Sequence, residues 1–207
     1  MKIELISVTP NALELLLYTK QTRLQGEQTL NEIINTPMDE KLDDLSYVKD
    51  TIKSSWEFVT YVFKISGVSR AFTHQLVRTR NASYAQETQR AVDVRDNKWI
   101  GISSDKYSEA QLEEYDNAMQ QSMNWYEHLI ENGLEIQDAR GVIPTNISTS
   151  IIAKFDLREL HKMAELRLCT RTQGEYQKVF EEMKREVVKV HPWAEDMIQV
   201  FCANHGS

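Results

Sequence analysis

Residues 147–160, ISTSIIAKFDLREL, place a strand pattern directly before a helix start. Ile, Thr, Ile, Ala and Phe occupy alternate positions up to Phe155, which predicts a half-buried strand. Asp156 and Glu159 then have the spacing of a capping box, in which the Asp oxygen accepts a backbone N–H and the Glu reaches back. A helix is therefore expected from Asp156 to about Cys169. A strand followed directly by a helix favours a mixed α/β fold.

The same two periodicities recur along the rest of the chain. Strands are predicted at residues 3–8 and 59–65, and the second is expected to break at Gly67. Residues 81–95 suggest a loop that enters a short strand at Val92 and Val94. Helices are predicted from Thr9-Pro10 onward, and over residues 42–52, 69–80, 108–132 and 176–190, the last being ended by Pro192. Together these elements predict one mixed α/β (α+β) domain over residues 1–207.

Composition limits the possible partners and the compartment. The chain has 207 residues, and 31 Asp and Glu against 24 Lys and Arg give a formal net charge of −7. Nucleic acid polymers and anionic membranes attract positive charge, so neither is expected as a partner. Cys169 and Cys202 lack CxxC spacing, and no His or Cys cluster predicts a metal site. With no signal-peptide segment and no membrane-length apolar run, we expect a cytoplasmic protein with frayed residues 204–207.

The arginines are concentrated in two stretches of the chain. The first holds Arg70, Arg78, Arg80, Arg90 and Arg95, and the second holds Arg140, Arg158, Arg167 and Arg171. Two interpretations remain open for an acidic protein with this pattern. The arginines either lie on ordinary solvated helix surface or form a local site for a small anion.

Familiar phosphate-binding and catalytic motifs are absent from the sequence. It contains no GxxxxGK[ST], no GxGxxG and no HExxH. Residues 75–90, QLVRTRNASYAQETQR, instead combine arginines with amides and hydroxyls. Gln75 and Arg78 are three residues apart and are expected on one helix face. This segment predicts a nucleotide-binding edge built without glycines. Cys169, at an arginine-flanked helix end, is a weaker candidate for a covalent nucleophile.

Several blocks of the chain resemble the flavin-dependent thymidylate synthases. That family's signature is Arg-His-Arg, seven residues, then Ser, and here Arg78-Thr79-Arg80 is followed by seven residues and Thr88. The flanking residues 68–78 and 82–84 are similar to the bacterial branch. Residues 139–144, 157–160 and 166–173 resemble the family's later blocks in the same order. The likeness covers nearly the whole chain.

The resemblance implies a fold, a reaction and an assembly. The fold would be a central sheet flanked by helices, and the subunits would form a homotetramer with shared active sites. The reaction would be the reductive methylation of dUMP to dTMP. Methylenetetrahydrofolate would give the carbon, FAD would carry the hydride, and NADPH would reduce the flavin.

The resemblance also implies roles for individual residues. It assigns the nucleotide to Gln75, Arg78, Gln86, Glu87, Thr88, Gln89, Arg90, Arg140 and Arg167, and FAD to Ser54, Arg78, Thr79, Arg80, Gln86, Asp156, Arg158 and Lys162. Arg167 would be catalytic, because a guanidinium at the uracil edge stabilises the negative charge that makes C5 nucleophilic. The alternative is that Arg167 is an exposed helix residue paired with Glu165.

The departures from the family pattern fall mostly on flavin or folate positions. The signature histidine is Thr79, and the upstream pattern His-x-Ser-x-x-Glu-His reads as IKSSWEF at residues 52–58. Asp156 replaces an Asn, Lys162 replaces a His or Asn, and Gly174 and Ala91 replace aromatic residues. A re-tuned flavin site is one interpretation, since lysine still offers a point charge to a pyrophosphate. The other interpretations are a different pyrimidine substrate such as UMP, a hydroxymethyl product, or an inactive nucleotide-binding homologue.

Overall fold

The computed structural model describes residues 1–51, 53–169, 171–172 and 174–200. Its strands are β1 (Lys2–Val8), β2 (Thr60–Ser69), β3 (Ala82–Gln86) and β4 (Ser148–Asp156). Its α-helices are α1 (Ala12–Leu24), α2 (Leu30–Asn35), α3 (Met38–Asp50), α4 (Arg70–Leu76), α5 (Glu109–Glu131), α6 (Ile136–Ala139), α7 (Leu157–Arg167) and α8 (Gly174–Val190). Short 3-10 segments lie at Lys53–Phe58, Arg140–Val142 and Pro192–Met197. The predicted mixed α/β class is confirmed.

The four strands form one antiparallel sheet in the order β1-β2-β4-β3. The alternation predicted for the two central strands is confirmed by burial. Tyr61, Phe63 and Ile65 of β2 are fully buried, while Lys64 between them is exposed. In β4, Phe155 and the alternate residues before it are buried in the same way. Side chains at every second position of a strand face the same side, so each of these strands contributes one apolar face.

The chain separates into two compact units. One comprises Met1–Lys2, Ile65–Arg80 and Tyr84–Ile152, and the other comprises Ile3–Lys64, Asn81–Ser83 and Ala153–Ser207. We call them the α5 unit and the α7 unit, after a helix that each contains. Both β2 and β4 contribute residues to both units. That residues 1–207 form one domain stays a prediction.

Each unit has its own apolar core. In the α5 unit, Val94, Met123, Tyr126, Ala139 and Ile147 form a buried cluster. In the α7 unit, α1 packs against α3 and α2, and α7 packs against α8 and the Lys53–Phe58 turn. The indole N–H of Trp56 in that turn donates to the carbonyl of Val48, at 3.2 Å. Among the described residues, no helix is long and apolar enough to cross a membrane.

Three predicted helix starts are confirmed by their caps. The Ser69 hydroxyl accepts from the Phe72 amide at 2.9 Å, and Ser108 forms a capping box with Gln111 at the start of α5. The Asp156 carboxylate accepts from the amide of Glu159, at 2.7 Å, and begins α7. The predicted capping box is only half formed there, because the Glu159 carboxylate binds Asn81 and Lys162 instead of reaching back to the Asp156 amide. Each cap satisfies a backbone N–H that has no partner within its own helix.

Three helix predictions in the N-terminal half were wrong at one end. The helix predicted over residues 42–52 is α3, which begins at Met38. Helix α1 begins at Ala12 rather than at Pro10, because the backbone and hydroxyl of Thr9 pair with Thr60 and extend the sheet. Helix α4 ends at Leu76 rather than Arg80. The Tyr84 hydroxyl lies 2.9 and 2.8 Å from the carbonyl oxygens of Leu76 and Thr79, so its proton can pair with a carbonyl group at the end of the helix.

Strand predictions were also corrected at two places. Strand β2 continues past Gly67, whose φ of +66° a glycine adopts without strain, to Ser69. The strand in the stretch 81–95 is Ala82–Gln86, whereas Val92 and Val94 lie outside any strand and Val94 joins the α5-unit core instead. Alternating valines can belong to a strand, or one of them can be buried from an irregular segment. The spacing of Val92 and Val94 alone therefore did not distinguish these two cases.

The last predicted helices differ little from the structure. Helix α7 ends at Arg167, two residues before the predicted end at Cys169, and α8 ends before Pro192 as predicted. Predictions that involve Ile52, Thr170, Gln173, Cys202 and residues 204–207 lie outside the described residues.

Candidate functional site

In the α5 unit, the polar segment after β3 is anchored by hydrogen bonds to β4. The Glu87 amide donates to the Ser150 carbonyl at 3.0 Å, and the Glu87 carboxylate accepts from the Ser150 amide at 3.1 Å. The Gln86 side-chain amide donates to the hydroxyl of buried Thr73, at 2.7 Å. The side chains of Gln86 and Glu87 therefore hold this segment in place within the protein.

The next residues of the segment face outward. Thr88 and Arg90 are exposed, and the Thr88 hydroxyl accepts from the Arg90 amide at 3.1 Å. Gln89 between them is half-buried. This short turn carries a hydroxyl and a guanidinium on exposed residues two positions apart, a donor set suited to an anionic ligand.

Further predicted nucleotide residues lie in the same unit. Gln75 is half-buried in the last turn of α4, while Arg78 and Arg80 are exposed in the turn that follows it. Because α4 ends at Leu76, Gln75 and Arg78 do not share a helix face as the sequence suggested. Arg140 is exposed at the start of a 3-10 turn.

Arg140 lies in the electrostatic surroundings of Arg70, which also include Glu87. Burial lowers the pKa of Arg70, the negative charge of Glu87 raises it, and the positive charge of Arg140 lowers it. The arginine cluster of the sequence therefore brings at least two guanidinium groups and one carboxylate together in the α5 unit. The resemblance had given Arg70 no role, and only its membership of that cluster pointed to it.

The α7 unit contains a polar cleft of about 360 Å³. It is lined by Glu57, Asn81, Asp156, Arg158, Glu159 and Lys162. Three of these residues, Asp156, Arg158 and Lys162, are predicted FAD ligands. A fourth predicted ligand, Ser54, is exposed in the Lys53–Phe58 turn, and Thr79 and Arg80 belong to the α5 unit.

Charged pairs organise this cleft, and the resemblance did not identify all of them. Arg158 forms an ion pair with Glu57, and the Lys162 ammonium lies 3.3 Å from a Glu159 carboxylate oxygen. The Asn81 side-chain amide donates to the same oxygen at 3.4 Å. Glu57 was visible in the sequence as the retained acid of the upstream pattern, and Glu159 as a helix-capping residue, whereas Asn81 was not singled out.

Asp156, the N-cap residue of α7, has a carboxyl group whose pKa is raised. Burial raises the pKa of its carboxyl above the ordinary 3.8, and the hydrogen bond from the Glu159 amide opposes that rise. The negative charges of Glu57 and Glu159 raise this pKa further, while Lys162 lowers it. The cleft thus contains three carboxylates and two cations, with donors and acceptors interleaved.

Arg167, the predicted catalytic residue, is the last residue of α7 and is half-buried. Its guanidinium carbon lies 4.3 Å from the ring centroid of Tyr176, which is fully buried in α8. A cation–π contact at this distance holds the guanidinium group over the ring. Glu165, the partner considered for a purely structural Arg167, instead lies 3.8 Å from the His161 imidazole.

His161 and Lys53 form a contact that the sequence did not reveal. The Lys53 ammonium lies 2.6 Å from Nε2 of His161, which is buried, and Nδ1 of that ring lies 2.8 Å from the Met197 carbonyl. The carbonyl requires a proton on Nδ1, so Nε2 accepts from Lys53. Within the described residues, no three His, Cys, Asp or Glu side chains are grouped as metal ligands.

Comparison with known proteins gives the family of the chain. The family profile described as "Thymidylate synthase complementing protein" (Thy1) matches residues 4–193. Proteins named flavin-dependent thymidylate synthase are similar over much of the chain. The relative from Sulfurisphaera tokodaii is 32% identical over 93% of this chain and 75% of its own length. The relative from Pyrococcus horikoshii is 36% identical over 91% of this chain and 79% of its own.

A third relative, from Sulfolobus acidocaldarius, is 35% identical over 71% of this chain, and the match spans 58% of that protein's length. The profile match and these identities agree with the blocks recognised in the sequence. The chain therefore belongs to the flavin-dependent thymidylate synthase family, a family of methyltransferase enzymes.

Proposed function

We propose that this protein methylates C5 of dUMP to form dTMP, with methylenetetrahydrofolate as carbon donor, FAD as hydride carrier and NADPH as reductant. The observation that carries the proposal is the segment Gln86–Arg90. It overlaps the end of the family signature at Thr88, and its first residues, Gln86 and Glu87, are anchored by hydrogen bonds. The exposed residues Thr88 and Arg90 then supply a hydroxyl and a guanidinium. An anchored donor set binds a nucleotide without first having to be ordered.

The nucleotide would be held mainly by cations and amides of the α5 unit. Arg78, Arg90 and Arg140 are exposed there, and each supplies a planar set of donors for phosphate oxygens. Gln75, Gln86, Glu87, Thr88 and Gln89 complete the proposed binding set. The side-chain amides of Gln75 and Gln89 and the hydroxyl of Thr88 suit the directional hydrogen bonds of a pyrimidine and a sugar.

Arg167 would carry the electrostatic part of catalysis. C5 of uracil becomes nucleophilic only when negative charge builds up on the ring and its carbonyl oxygens, and a fixed guanidinium stabilises that charge as it forms. The Tyr176 ring supports this role because it limits the orientations open to the Arg167 side chain. A cation held in one orientation needs little reorganisation during the reaction.

The donor chemistry of the α7-unit cleft fits the polar part of a flavin. Asn81, Arg158 and Lys162 supply donors, and Asp156 supplies acceptors, which matches the mixed ring amides and hydroxyls of the cofactor. Ser54, Arg78, Thr79, Arg80 and Gln86 belong to the same proposal. When bound, FAD supplies the hydride chemistry that side chains cannot perform.

The assembly and the compartment are also part of the proposal. We infer a homotetramer with active sites shared between subunits, in the cytoplasm, with residues 1–207 as one domain. Light scattering coupled to size exclusion measures the mass of the assembly directly. A monomer that turns over dUMP would contradict the shared site.

Mass spectrometry of the product tests substrate, transferred group and activity together. The protein is incubated with dUMP or UMP, methylenetetrahydrofolate, FAD and NADPH, and a gain of one methyl group on dUMP is expected. Methylated UMP would show that UMP is the substrate. A hydroxymethyl product would show that the transferred group is hydroxymethyl. Nucleotide binding without turnover would indicate the inactive homologue.

A substitution at Arg167 tests its catalytic role. Arg167→Ala is expected to slow tritium release from C5-labelled dUMP by about 10²–10³, as loss of one preorganised charge-stabilising donor does. The control is Arg185→Ala, since Arg185 is exposed on α8 and pairs only locally with Glu182. Unchanged turnover of the Arg167 variant would refute the assignment.

Flavin binding is tested apart from turnover. Titration with FAD, followed by its absorbance, is expected to show a weaker complex for Arg158→Gln than for Arg185→Gln. Equal affinities would remove Arg158 from the flavin site. A wild-type protein that binds no FAD would remove the flavin from the proposed function altogether.

A further inference from the structure

Arg70 is the first residue of α4 and its backbone is firmly fixed within the α5 unit. Its amide donates to the Ile147 carbonyl at 3.1 Å, and the next amide, of Ala71, donates to the Thr145 carbonyl at 2.8 Å. The preceding residue, Ser69, is the buried N-cap of the helix. The base from which the Arg70 side chain extends is therefore rigid.

The Arg70 side chain reaches the segment after β3. Its Nη1 donates to the backbone carbonyl of Glu87 at 3.0 Å, and the residue is half-buried. Hydrogen bonds from a charged donor are stronger than neutral ones, and partial burial reduces competition from water. Arg70 thereby joins the start of α4 to the middle of the proposed nucleotide-binding segment.

A second bridge runs beside the first. The Gln86 side-chain amide donates to the Thr73 hydroxyl at 2.7 Å, and that hydroxyl donates to the Arg70 carbonyl at 3.0 Å. On the other side, Ser150 binds the Glu87 amide and carboxylate. The Glu87 backbone is thus bound at its N–H by β4 and at its carbonyl by Arg70.

A fixed carbonyl has a direct consequence for the next amide. The Glu87 carbonyl and the Thr88 N–H belong to one planar trans peptide group, in which they point in opposite directions. Holding the carbonyl towards Arg70 therefore directs the Thr88 N–H away from it, and Thr88 is exposed. Backbone N–H groups that are fixed in this way are effective donors to anions.

We propose that Arg70 is a positioning residue that orients the Thr88 amide and the turn to Arg90 for binding of the nucleotide phosphate. The inference rests on the proposed function and adds a residue to it. Arg140 is near enough for its positive charge to act on Arg70, and it is a further cation of the proposed phosphate site. Arg70 acts through the Glu87 backbone and does not itself contact the reacting atoms.

Three variants test this role by dUMP calorimetry and steady-state kinetics. Arg70→Gln loses the charged donor, and a rise of about tenfold in both Kd and KM for dUMP is expected, with kcat nearly unchanged. Arg70→Lys keeps the charge but has a single-point donor group, and a rise of roughly threefold is expected. Arg185→Gln, at an exposed arginine outside the site, should behave as wild type.

The outcomes separate this inference from the function on which it rests. A wild-type protein that does not bind dUMP removes the proposed function, and the inference with it. If wild type binds dUMP and Arg70→Gln binds it equally well, only the role of Arg70 is overturned. A purely structural role would lower the melting temperature and kcat without changing KM, and that also overturns the proposal. If Arg70→Gln does not fold, Arg70→Lys decides: a wild-type KM contradicts the proposal, and a raised KM supports it.

Discussion

Replacing Asp156 by asparagine and by alanine tests how one side chain starts helix α7. The Asp156 oxygen accepts the Glu159 amide at 2.7 Å, and an asparagine oxygen can occupy the same place. Alanine has no acceptor, and losing an N-cap of this kind costs about 1 kcal/mol. The alanine variant should therefore be less stable than the asparagine variant by about 1 kcal/mol, which corresponds to about 2–4 °C in melting temperature for a chain of this size.

The asparagine variant also removes a charge, which predicts a pH effect. Burial and the acidic neighbours raise the pKa of the Asp156 carboxyl in the folded protein above the ordinary 3.8. The folded state therefore keeps this proton to higher pH than the unfolded state does. The free energy of unfolding must then fall as pH rises from 3.8 through the raised pKa. The Asp156→Asn variant does not have this pH-dependent decrease. The free energy of unfolding of the variant, relative to that of wild type, should therefore increase towards neutral pH.

Urea unfolding of wild type and both variants at acidic and neutral pH measures these differences. The midpoint of the alanine variant should lie below that of the asparagine variant at every pH, because the cap is lost whatever the charge. Coincident midpoints of these two variants would refute the capping argument. A difference in midpoint between wild type and the asparagine variant that stays constant with pH would refute the argument from the raised pKa.

Two further predictions concern stability elsewhere in the α7 unit. Lys41 is 6% exposed and lies 2.7 Å from the Glu14 carboxylate, so Lys41→Met leaves a largely buried charge unpaired and should cost about 3 kcal/mol in urea unfolding. Lys20→Met, which breaks a more exposed pair, should cost less than about 1 kcal/mol, and equal losses would contradict the argument. Burial lowers the pKa of His191 below 6.5, against a weaker opposing effect of Glu14, so the unfolded state binds the proton first as pH falls. The free energy of unfolding should then decrease as pH falls through 6.5, and His191→Gln should flatten that part of the profile.

Part of the candidate site could be predicted because its residues lie close together in the chain. Asp156, Arg158 and Lys162 span two turns of α7, and they line one cleft. Their proposed role in binding FAD stays a prediction. Glu57, the partner of Arg158, and Asn81, which binds Glu159, come from distant parts of the sequence, and a local pattern does not indicate that these groups meet.

Local patterns were sufficient for the mixed α/β class, for the buried faces of β2 and β4, and for the caps at Ser69, Ser108 and Asp156. Periodicity and capping depend on residues within a few positions of each other, so they can be read along the chain. The blocks in their order also gave the family.

Tertiary structure alone decided where α1 begins and where α4 ends, and which residues hold the polar segment after β3. Thr9 pairs with Thr60, and Glu87 pairs with Ser150 on one side and with Arg70 on the other. These contacts join residues far apart in sequence, and each satisfies a backbone group that local structure leaves without a partner. Which distant group meets that need depends on the packing of the whole sheet.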